Sequence, residues 1–363
     1  MDIRVLLASP YQGRGGITKW TEHMLNYYQD NHRDNIELEL LPMDRFPFTS
    51  LVTRLLYGIW EYSRIILKEW LMFRHKHYDV FHLCTSASIS LMKDLIMLRI
   101  AKGHLARTIL HFHFGRIPSM KNSRRWEWWL LCRVMRYVDV AIPMDNESFE
   151  TLIAAGFNKV ICIPNPLSPK VPKFVLSNLN HIQRDERMIL FVGDCIRSKG
   201  IYELVKACKE IPEIQLVLAG FIEESTKREL IQISENGEWL KFLGQIPYEE
   251  VLNLMLKCGV FVLPSYTEGF PNVILESMAC GCAIIGSTVG AIPEMLKEEN
   301  GKHFGIMIPP KDVKTLNMAI CQYMSDPTLK EECRNNARKR VNNNYSMDTV
   351  WEKLLYVWKL PRA

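Results

Sequence analysis

Two carboxylates, Glu268 and Glu276, stand in one short segment of this chain and could together bind sugar hydroxyls. The segment follows the apolar run Val260–Leu263, which reads as a buried strand, and open α/β sheets bind ligands at the carboxyl ends of parallel strands. Pro271 and Asn272 favour the start of a helix, and the free N–H groups of a helix start attract anions. Hydroxyl-binding carboxylates beside anion-binding amides are what a nucleotide-sugar requires.

Two histidines, His111 and His113, alternate along another strand-like run, Thr108–Phe112 and the residue after it. Side chains of a strand point to opposite faces in turn, so we expect only one of the two rings to face a site. Ligands on opposite faces cannot chelate one ion, and no Asp-x-Asp sequence offers another metal site. The sequence therefore predicts no metal and no other cofactor.

The elements that must position these residues alternate between short apolar runs and longer amphipathic ones, which predicts parallel sheets covered by helices. Four prolines between Pro164 and Pro172 predict a linker. Strand-like runs before the linker end with Val160–Ile163. We expect an α/β chain with a first domain at 1–168 and a second at 169–345. A terminal helix in 346–363 is expected to pack back on the first domain.

Charge and tryptophan are concentrated in the first half of the 363-residue chain. Residues 45–137 contain 16 basic and five acidic residues, and they hold five of the nine tryptophans. In the stretch Leu51–Arg74, Arg54, Glu61 and Lys68 are predicted to form a polar face away from residues such as Ile59 and Trp70. Cationic, aromatic surfaces of this kind suit an anionic bilayer better than a nucleic acid.

The cellular compartment is predicted from two features, the length of the apolar runs and the spacing of the cysteines. No apolar run is long enough to span a bilayer, and ten sparse cysteines without a CxxC pair suit reduced thiols. We therefore expect a cytoplasmic protein that lies peripherally on the inner face of the cytoplasmic membrane.

The segment EGFPNVILES resembles the Glu-x7-Glu signature of family 4 glycosyltransferases, in its EGFPN-type variant. Further pieces follow in the order of that family across nearly the whole chain: Gly13–Ile17, Phe112-His113, Ile163–Asn165, Gly193–Gly200 and Gly290–Glu294. The resemblance implies the GT-B fold, in which two Rossmann-like domains face each other across a cleft. It also implies a retaining transferase that moves a sugar from a nucleoside diphosphate to an acceptor.

Site residues are carried over from the resemblance one by one. His113 and Glu268 are the implied catalytic residues, and Glu276 is implied to bind the ribose hydroxyls. The implied donor-binding set is Gly15, Gly16, Arg197, Lys199, Glu268, Gly269, Phe270, Asn272, Val273 and Glu276.

The chain departs from the family at one position, because an arginine usually follows the glycine that corresponds to Gly193, and here Asp194 stands there. An anion would repel a diphosphate, so either Asp194 points away or Arg197 takes over the role of the arginine. Otherwise Lys199 acts alone on the diphosphate.

The EGFPN variant favours UDP-hexose or UDP-N-acetylhexosamine as the donor, and the basic first half favours a lipid-linked glycan acceptor in polysaccharide or glycoconjugate biosynthesis. Two other classes stay open. One is a nucleotide-sugar epimerase of similar fold, which would need no acceptor. The other is a catalytically weak, membrane-associated partner subunit, a hypothesis that Asp194 motivates.

Overall fold

A computed structural model of the chain describes residues 2–361, except 14, 32–34, 45–50, 124 and 180, and it does not describe the side chains of 51–57 and 125. The chain forms two compact units. The first contains residues 1–165 and 348–363, and the second contains residues 166–347. The unit boundaries thus lie two or three residues from the expected ones, at 165/166 and 347/348.

The first unit is a five-stranded parallel sheet in the order β2-β1-β3-β4-β5. Its strands are β1 (Ile3–Ser9), β2 (Ile36–Pro42), β3 (Val80–Thr85), β4 (Arg107–Phe112) and β5 (Val140–Ile142). Its helices are α1 (Gly16–Asp30), α2 (Leu51–His75), α3 (Ser90–Gly103), α4 (Ile117–Ser123), α5 (Arg125–Met135) and α6 (Asn146–Ala154). The C-terminal helix α15 (Met347–Lys359) joins this unit from residue 348 onward.

The second unit is a six-stranded parallel sheet in the order β11-β10-β9-β6-β7-β8. Its strands are β6 (Asp185–Val192), β7 (Gln215–Ala219), β8 (Leu240–Gly244), β9 (Cys258–Leu263), β10 (Ala283–Ser287) and β11 (Ile306–Ile308). Its helices are α7 (Lys170–Asn178), α8 (Ile201–Lys209), α9 (Glu224–Ile233), α10 (Tyr248–Lys257), α11 (Asn272–Ala279), α12 (Ile292–Leu296), α13 (Val313–Ser325) and α14 (Pro327–Asn344). A single turn of 3₁₀ helix covers Arg197–Lys199.

Strand order reverses once in each sheet, between β1 and β3 in the first and between β6 and β9 in the second. At such a point the loops after two neighbouring strands diverge to opposite faces, which leaves a crevice at the carboxyl edge of the sheet. The residues with predicted chemistry follow β1, β4, β6 and β9. Three of these strands therefore border a crevice, and β4 lies next to β3.

Two predicted elements differ in the structure. Val160–Ile163 is not a strand, because only Val160 forms an isolated bridge, to Ala141 at the edge of the first sheet. In the proline-rich linker, α7 begins at Lys170 and includes Pro172. A proline in the first turn of a helix is tolerated because its missing N–H would have no partner inside the helix.

In α2, some of the side chains predicted to be exposed are buried, and some of those predicted to be buried are exposed. Glu61, expected on the polar face, is buried, and Glu69 is fully buried. Ile59 and Trp70, expected to face the core, are exposed. Phe73, near the end of the same helix, is buried. The surface of the first unit therefore carries apolar groups that the helical pattern placed in the core.

Burial without a partner changes the protonation of Glu69. Neither of its carboxyl oxygens has a hydrogen-bond partner among the described residues. Burial raises the pKa of Glu69 to about 9, although the Lys93 ammonium lowers it and the Asp94 carboxylate raises it further. The carboxyl is therefore protonated at neutral pH, because an ionised carboxylate in a dry interior is costly.

We predict that Glu69→Gln flattens the pH dependence of stability. Between the ordinary glutamate pKa of 4.5 and about 9, the folded chain holds a proton at Glu69 that the unfolded chain has lost. The free energy of unfolding therefore falls as pH rises through this window. Thermal unfolding at pH 5.5 and 8.5 should show a smaller drop in midpoint for Glu69→Gln than for the wild type. Replacing the exposed Glu352 by Gln serves as the control, and an equal effect of both changes would contradict the prediction.

Candidate functional site

A pocket of about 430 Å³ lies at the crevice of the second unit. Loops after the central strands β6 and β9, the helix α11 and the start of α10 supply its walls. The lining residues are Val192, Gly193, Asp194, Lys199, Tyr248, Val251, Leu263, Glu268, Pro271, Asn272, Val273 and Glu276. Five residues of the predicted donor set line this one pocket: Lys199 and, from a segment distant in sequence, Glu268, Asn272, Val273 and Glu276.

An ion pair joins the two loops of this pocket. The Lys199 Nζ lies 2.6 Å from Glu268 Oε1, and the Ser265 hydroxyl donates to the same oxygen at 2.6 Å. The side chain of Glu268 is 10% exposed and that of Lys199 is 28% exposed. Because a half-buried pair is weakly screened by solvent, Lys199 is held in place with its charge directed to the pocket.

Two glycines let the backbone approach closely enough to build this arrangement. Gly200 has a φ of +71°, and a Cβ on it would lie 2.1 Å from the carbonyl oxygen of Pro264. Gly290 has a φ of +54°, and a Cβ there would lie 2.4 Å from the carbonyl oxygen of Glu268. Any side chain would push these loops apart, so the two glycines set the positions of Lys199 and Glu268.

Tyr248 is a pocket residue that the sequence analysis missed. Its hydroxyl donates to Glu276 Oε1 at 2.8 Å from the first residue of α10. Burial and the neighbouring Glu276 carboxylate raise the pKa of Tyr248, so the phenol remains a donor. Tyr248 follows β8, so its place after a parallel strand is the sequence signal that indicates a pocket residue.

Several residues of the predicted donor set do not line the pocket. Arg197 is largely exposed, with its guanidinium 3.9 Å from Glu229 and over the ring of Tyr202. Phe270 is buried against Tyr345 at a ring distance of 5.8 Å, and Gly269 accepts a hydrogen bond from the N–H of Ala291. Phe270 and Gly269 therefore lie behind the residues that line the pocket.

Asp194 is one of the residues that line the pocket. Among the described lining residues, Lys199 is the cation, and Asp194, Glu268 and Glu276 are carboxylates. Arg197 in this conformation does not supply a second cation there.

In the first unit, His113 directly follows β4, and its N–H donates to the Thr85 carbonyl at the end of β3. The prediction of opposite faces for the two rings was wrong, since His111 and His113 have centroids 4.2 Å apart. The alternation of side chains between the two faces of the sheet does not extend to His113, because β4 ends at Phe112. Trp20 of α1 packs against both rings, at 5.0 and 4.9 Å.

The remaining residues of the predicted set, Gly15 and Gly16, lie at the start of α1 in the first unit. Among the described residues, no atom lies within 4 Å of a Cβ placed on either glycine. Arg14, between Gly13 and Gly15, lies outside the described residues.

Three buried ligand-type residues in the first unit, His82, Cys84 and His111, place one ligand atom each within 4.8 Å of the others. The indole N–H of Trp358 donates to His82 Nδ1 at 3.0 Å, so the lone pair of a neutral His82 on that side is engaged and its Nε2 carries the proton. A protonated nitrogen does not coordinate a metal. Burial raises the pKa of the Cys84 thiol to about 12, which also opposes metal ligation.

Residues 176–340 match the family model of the group 1 glycosyl transferases. An uncharacterized glycosyltransferase of Methanocaldococcus jannaschii is 33% identical over 184 residues, 49% of this chain and 46% of the relative. A capsular polysaccharide biosynthesis glycosyltransferase of Staphylococcus aureus is 29% identical over 263 residues, 66% of each chain. The chain thus spans about half the length of the first of these relatives.

Two solved structures share the fold along nearly the whole chain. Sucrose-phosphate synthase of Thermosynechococcus elongatus has a TM-score of 0.74 at 20% identity and covers 98% of both chains. HepE of Anabaena, solved in complex with UDP-glucose, has a TM-score of 0.70 at 17% identity and covers 98% of this chain and 99% of its own. The chain therefore has the GT-B fold, and its residues 176–340 are similar to the group 1 glycosyl transferases.

Proposed function

We propose that this chain is a retaining, metal-independent glycosyltransferase of family 4. It transfers a sugar from a nucleoside diphosphate, with UDP-hexose or UDP-N-acetylhexosamine favoured, to a lipid-linked glycan acceptor. The reaction belongs to polysaccharide or glycoconjugate biosynthesis. One observation carries the proposal: the pocket of the second unit combines Lys199, Glu268 and Glu276 with the start of α11.

Each group in this pocket has a chemical role in the proposal. Glu276 accepts hydrogen bonds from the ribose hydroxyls, and Asn272 starts α11, where the first N–H groups of the helix attract an anion. Lys199 neutralises the negative charge that grows on the diphosphate as the glycosidic bond breaks. Its ion pair with Glu268 places that cation beside the carboxylate assigned to the donor sugar.

The transfer itself needs no enzyme nucleophile in this proposal. The acceptor attacks the same face of the donor that the diphosphate leaves, and a departing phosphate oxygen takes the acceptor proton. Burial, with a smaller contribution from His82, lowers the pKa of His113 to about 3. His113 is therefore neutral at working pH, which suits a hydrogen-bonding role beside the reacting atoms.

The acceptor is assigned to the first unit, and we propose that this unit lies on an anionic membrane at the cytoplasmic face. None of the described helices is long and apolar enough to cross a membrane. An apolar face instead lies on three helices, of which α3 packs against both α2 and α5. We define this apolar face by its exposed residues: Ile59, Trp60, Leu67, Trp70 and Leu71 of α2, Ile89 just before α3, Met92 and Ile96 of α3, and Trp126 and Trp129 of α5.

Three arginine side chains lie next to tryptophans of the apolar face. The guanidinium groups of Arg64, Arg74 and Arg133 lie over the rings of Trp60, Trp70 and Trp129. Rings of this kind seek the headgroup layer of a bilayer, and each basic residue near an anionic surface contributes about 1 kcal/mol. The same helix α2 turns Glu61 and Glu69 into the interior, so its outward side carries few anions to oppose binding.

We predict that Glu276→Ala weakens nucleotide-sugar binding, because the ribose hydroxyls lose their charged acceptor. The expected loss is roughly 10- to 150-fold in affinity, measured by calorimetry with UDP-glucose. Glu268→Ala should instead lower kcat more than it lowers affinity. Glu298→Ala, an exposed position that does not line the pocket, is the matched control. Unchanged kinetics in both pocket variants would remove this pocket from the reaction.

A screen of radiolabelled nucleotide-sugars tests the reaction class. A transferase releases nucleotide in the presence of a lipid-linked acceptor, or slowly to water, and forms a labelled glycolipid that keeps the anomeric configuration of the donor. An epimerase would change the sugar without an acceptor, and a partner subunit would do neither. Either of the last two results would overturn the proposal.

We predict that Lys199→Ala lowers turnover at least tenfold, because the diphosphate loses its cation in the pocket. Arg197→Ala should change turnover less than threefold, since its guanidinium lies against Glu229 and Tyr202 outside the pocket. Asp194→Asn should tighten UDP binding by removing a repelling charge. A strong loss in Arg197→Ala would instead assign Arg197 to the diphosphate, and the pocket conformation described above would not be the active one.

We predict that the first unit carries the protein onto vesicles. The wild type should float with vesicles that contain anionic lipid, less at high salt and less with neutral vesicles. Replacing Trp60, Leu67 and Trp129 by serine should abolish flotation. Serine at Leu176 and Phe221, exposed apolar residues of the second unit, should leave it unchanged. Equal and negligible flotation of the wild type with both vesicle types would contradict the membrane proposal.

A further inference from the structure

A row of aromatic nitrogens crosses the interior of the first unit from the C-terminal helix α15. The Trp358 indole N–H donates to His82 Nδ1 at 3.0 Å, and His82 Nε2 lies 3.2 Å from His111 Nδ1. All three side chains are at most 1% exposed. Trp358 is fixed there because the Arg107 guanidinium donates to its backbone carbonyl. The row thus joins the last helix of the chain to the strand that ends beside His113.

The direction of each proton in this row follows from the first bond. An indole N–H can only donate, so His82 Nδ1 must accept. Burial lowers the pKa of both His82 and His111, so both rings are neutral and each carries one proton. His82 therefore has its proton on Nε2 and donates it to His111 Nδ1. His111 in turn has its proton on Nε2.

The row ends in a cluster of three packed rings, Trp20, His111 and His113, with centroids 4.2 to 5.0 Å apart. One nitrogen of each ring, Trp20 Nε1, His111 Nε2 and His113 Nε2, is buried without a hydrogen-bond partner among the described residues. The first two of these nitrogens carry protons. A proton on His113 Nε2 would make a third buried N–H without an acceptor in this cluster of rings, whereas a lone pair there adds no third donor.

We propose that Trp358 and His82 are positioning residues that hold His113 in the tautomer protonated at Nδ1. In this state His113 meets the substrate as a hydrogen-bond donor and not as a base. A ring of fixed tautomer is preorganised, because no proton has to move before it can donate to a substrate oxygen. The effect on catalysis rests on the proposed function, while the tautomer itself does not.

The direct test is a long-range ¹H–¹⁵N spectrum of the full chain labelled at histidine, which distinguishes protonated from unprotonated ring nitrogens. His113→Gln assigns the signals of His113. We expect Nδ1 of His113 to be protonated in the wild type. Trp358→Phe retains an aromatic ring but removes the indole donor, so His82, His111 and His113 should then show mixed tautomers.

Two further variants separate the row from general packing. Trp351→Phe removes an indole from the same helix, 5.4 Å from Trp358, and should leave the tautomer of His113 unchanged. If Trp358→Phe does not fold, His82→Gln breaks the same row at its second position. In a transfer assay, Trp358→Phe should lower kcat roughly 2- to 10-fold while the KM for the donor stays within twofold.

The outcomes are distinguishable from a failure of the proposed function. A wild-type His113 protonated at Nε2, or a tautomer that does not respond to Trp358→Phe or His82→Gln, would overturn the proposal. An altered tautomer without any change in kcat would overturn its catalytic part. If no sugar transfer is detected with any donor, the proposed function fails, and the spectrum still decides whether Trp358 and His82 fix the tautomer of His113.

Discussion

The parallel pairing of β6 with β9 at the centre of the second sheet is the constraint on which the rest of the site depends. Because both strands run in the same direction, the loop with Lys199 and the loop with Glu268 leave the sheet at the same edge. Close backbone contact of Gly200 with Pro264 then brings the two loops near enough for an ion pair. The helix α11 starts from the second loop and adds Glu276 to the same pocket.

Burial away from water determines the protonation state of one glutamate and three histidines in the first unit. The carboxyl of Glu69 keeps its proton, and the rings of His82, His111 and His113 stay neutral, for the same reason: a buried charge without a partner is costly. Neutral groups still have to satisfy their hydrogen bonds. The direction of the bond from Trp358 therefore propagates through His82 to His111, whose strand ends next to His113.

The two units differ in what they expose. The second gathers charged side chains into a pocket, whereas the first turns carboxylates of α2 inward and apolar rings outward, with guanidinium groups over those rings. An apolar face on three packed helices is costly in water, and a lipid surface removes that cost. For this reason, the proposed function assigns the donor to the second unit and the membrane-bound acceptor to the first.

The sequence alone determined the alternation of strands and helices, the two parallel sheets and the segment that holds Glu268 and Glu276, because these depend on local patterns of apolar residues and on turn chemistry. It could not determine which side of α2 is buried, since α3 packs on a face that helical periodicity assigned to solvent. Nor could it place Arg197 outside the pocket, Tyr248 inside it, or the rings of His111 and His113 side by side. Those positions depend on contacts between residues distant in the chain, and only the packed sheets and helices bring such residues together.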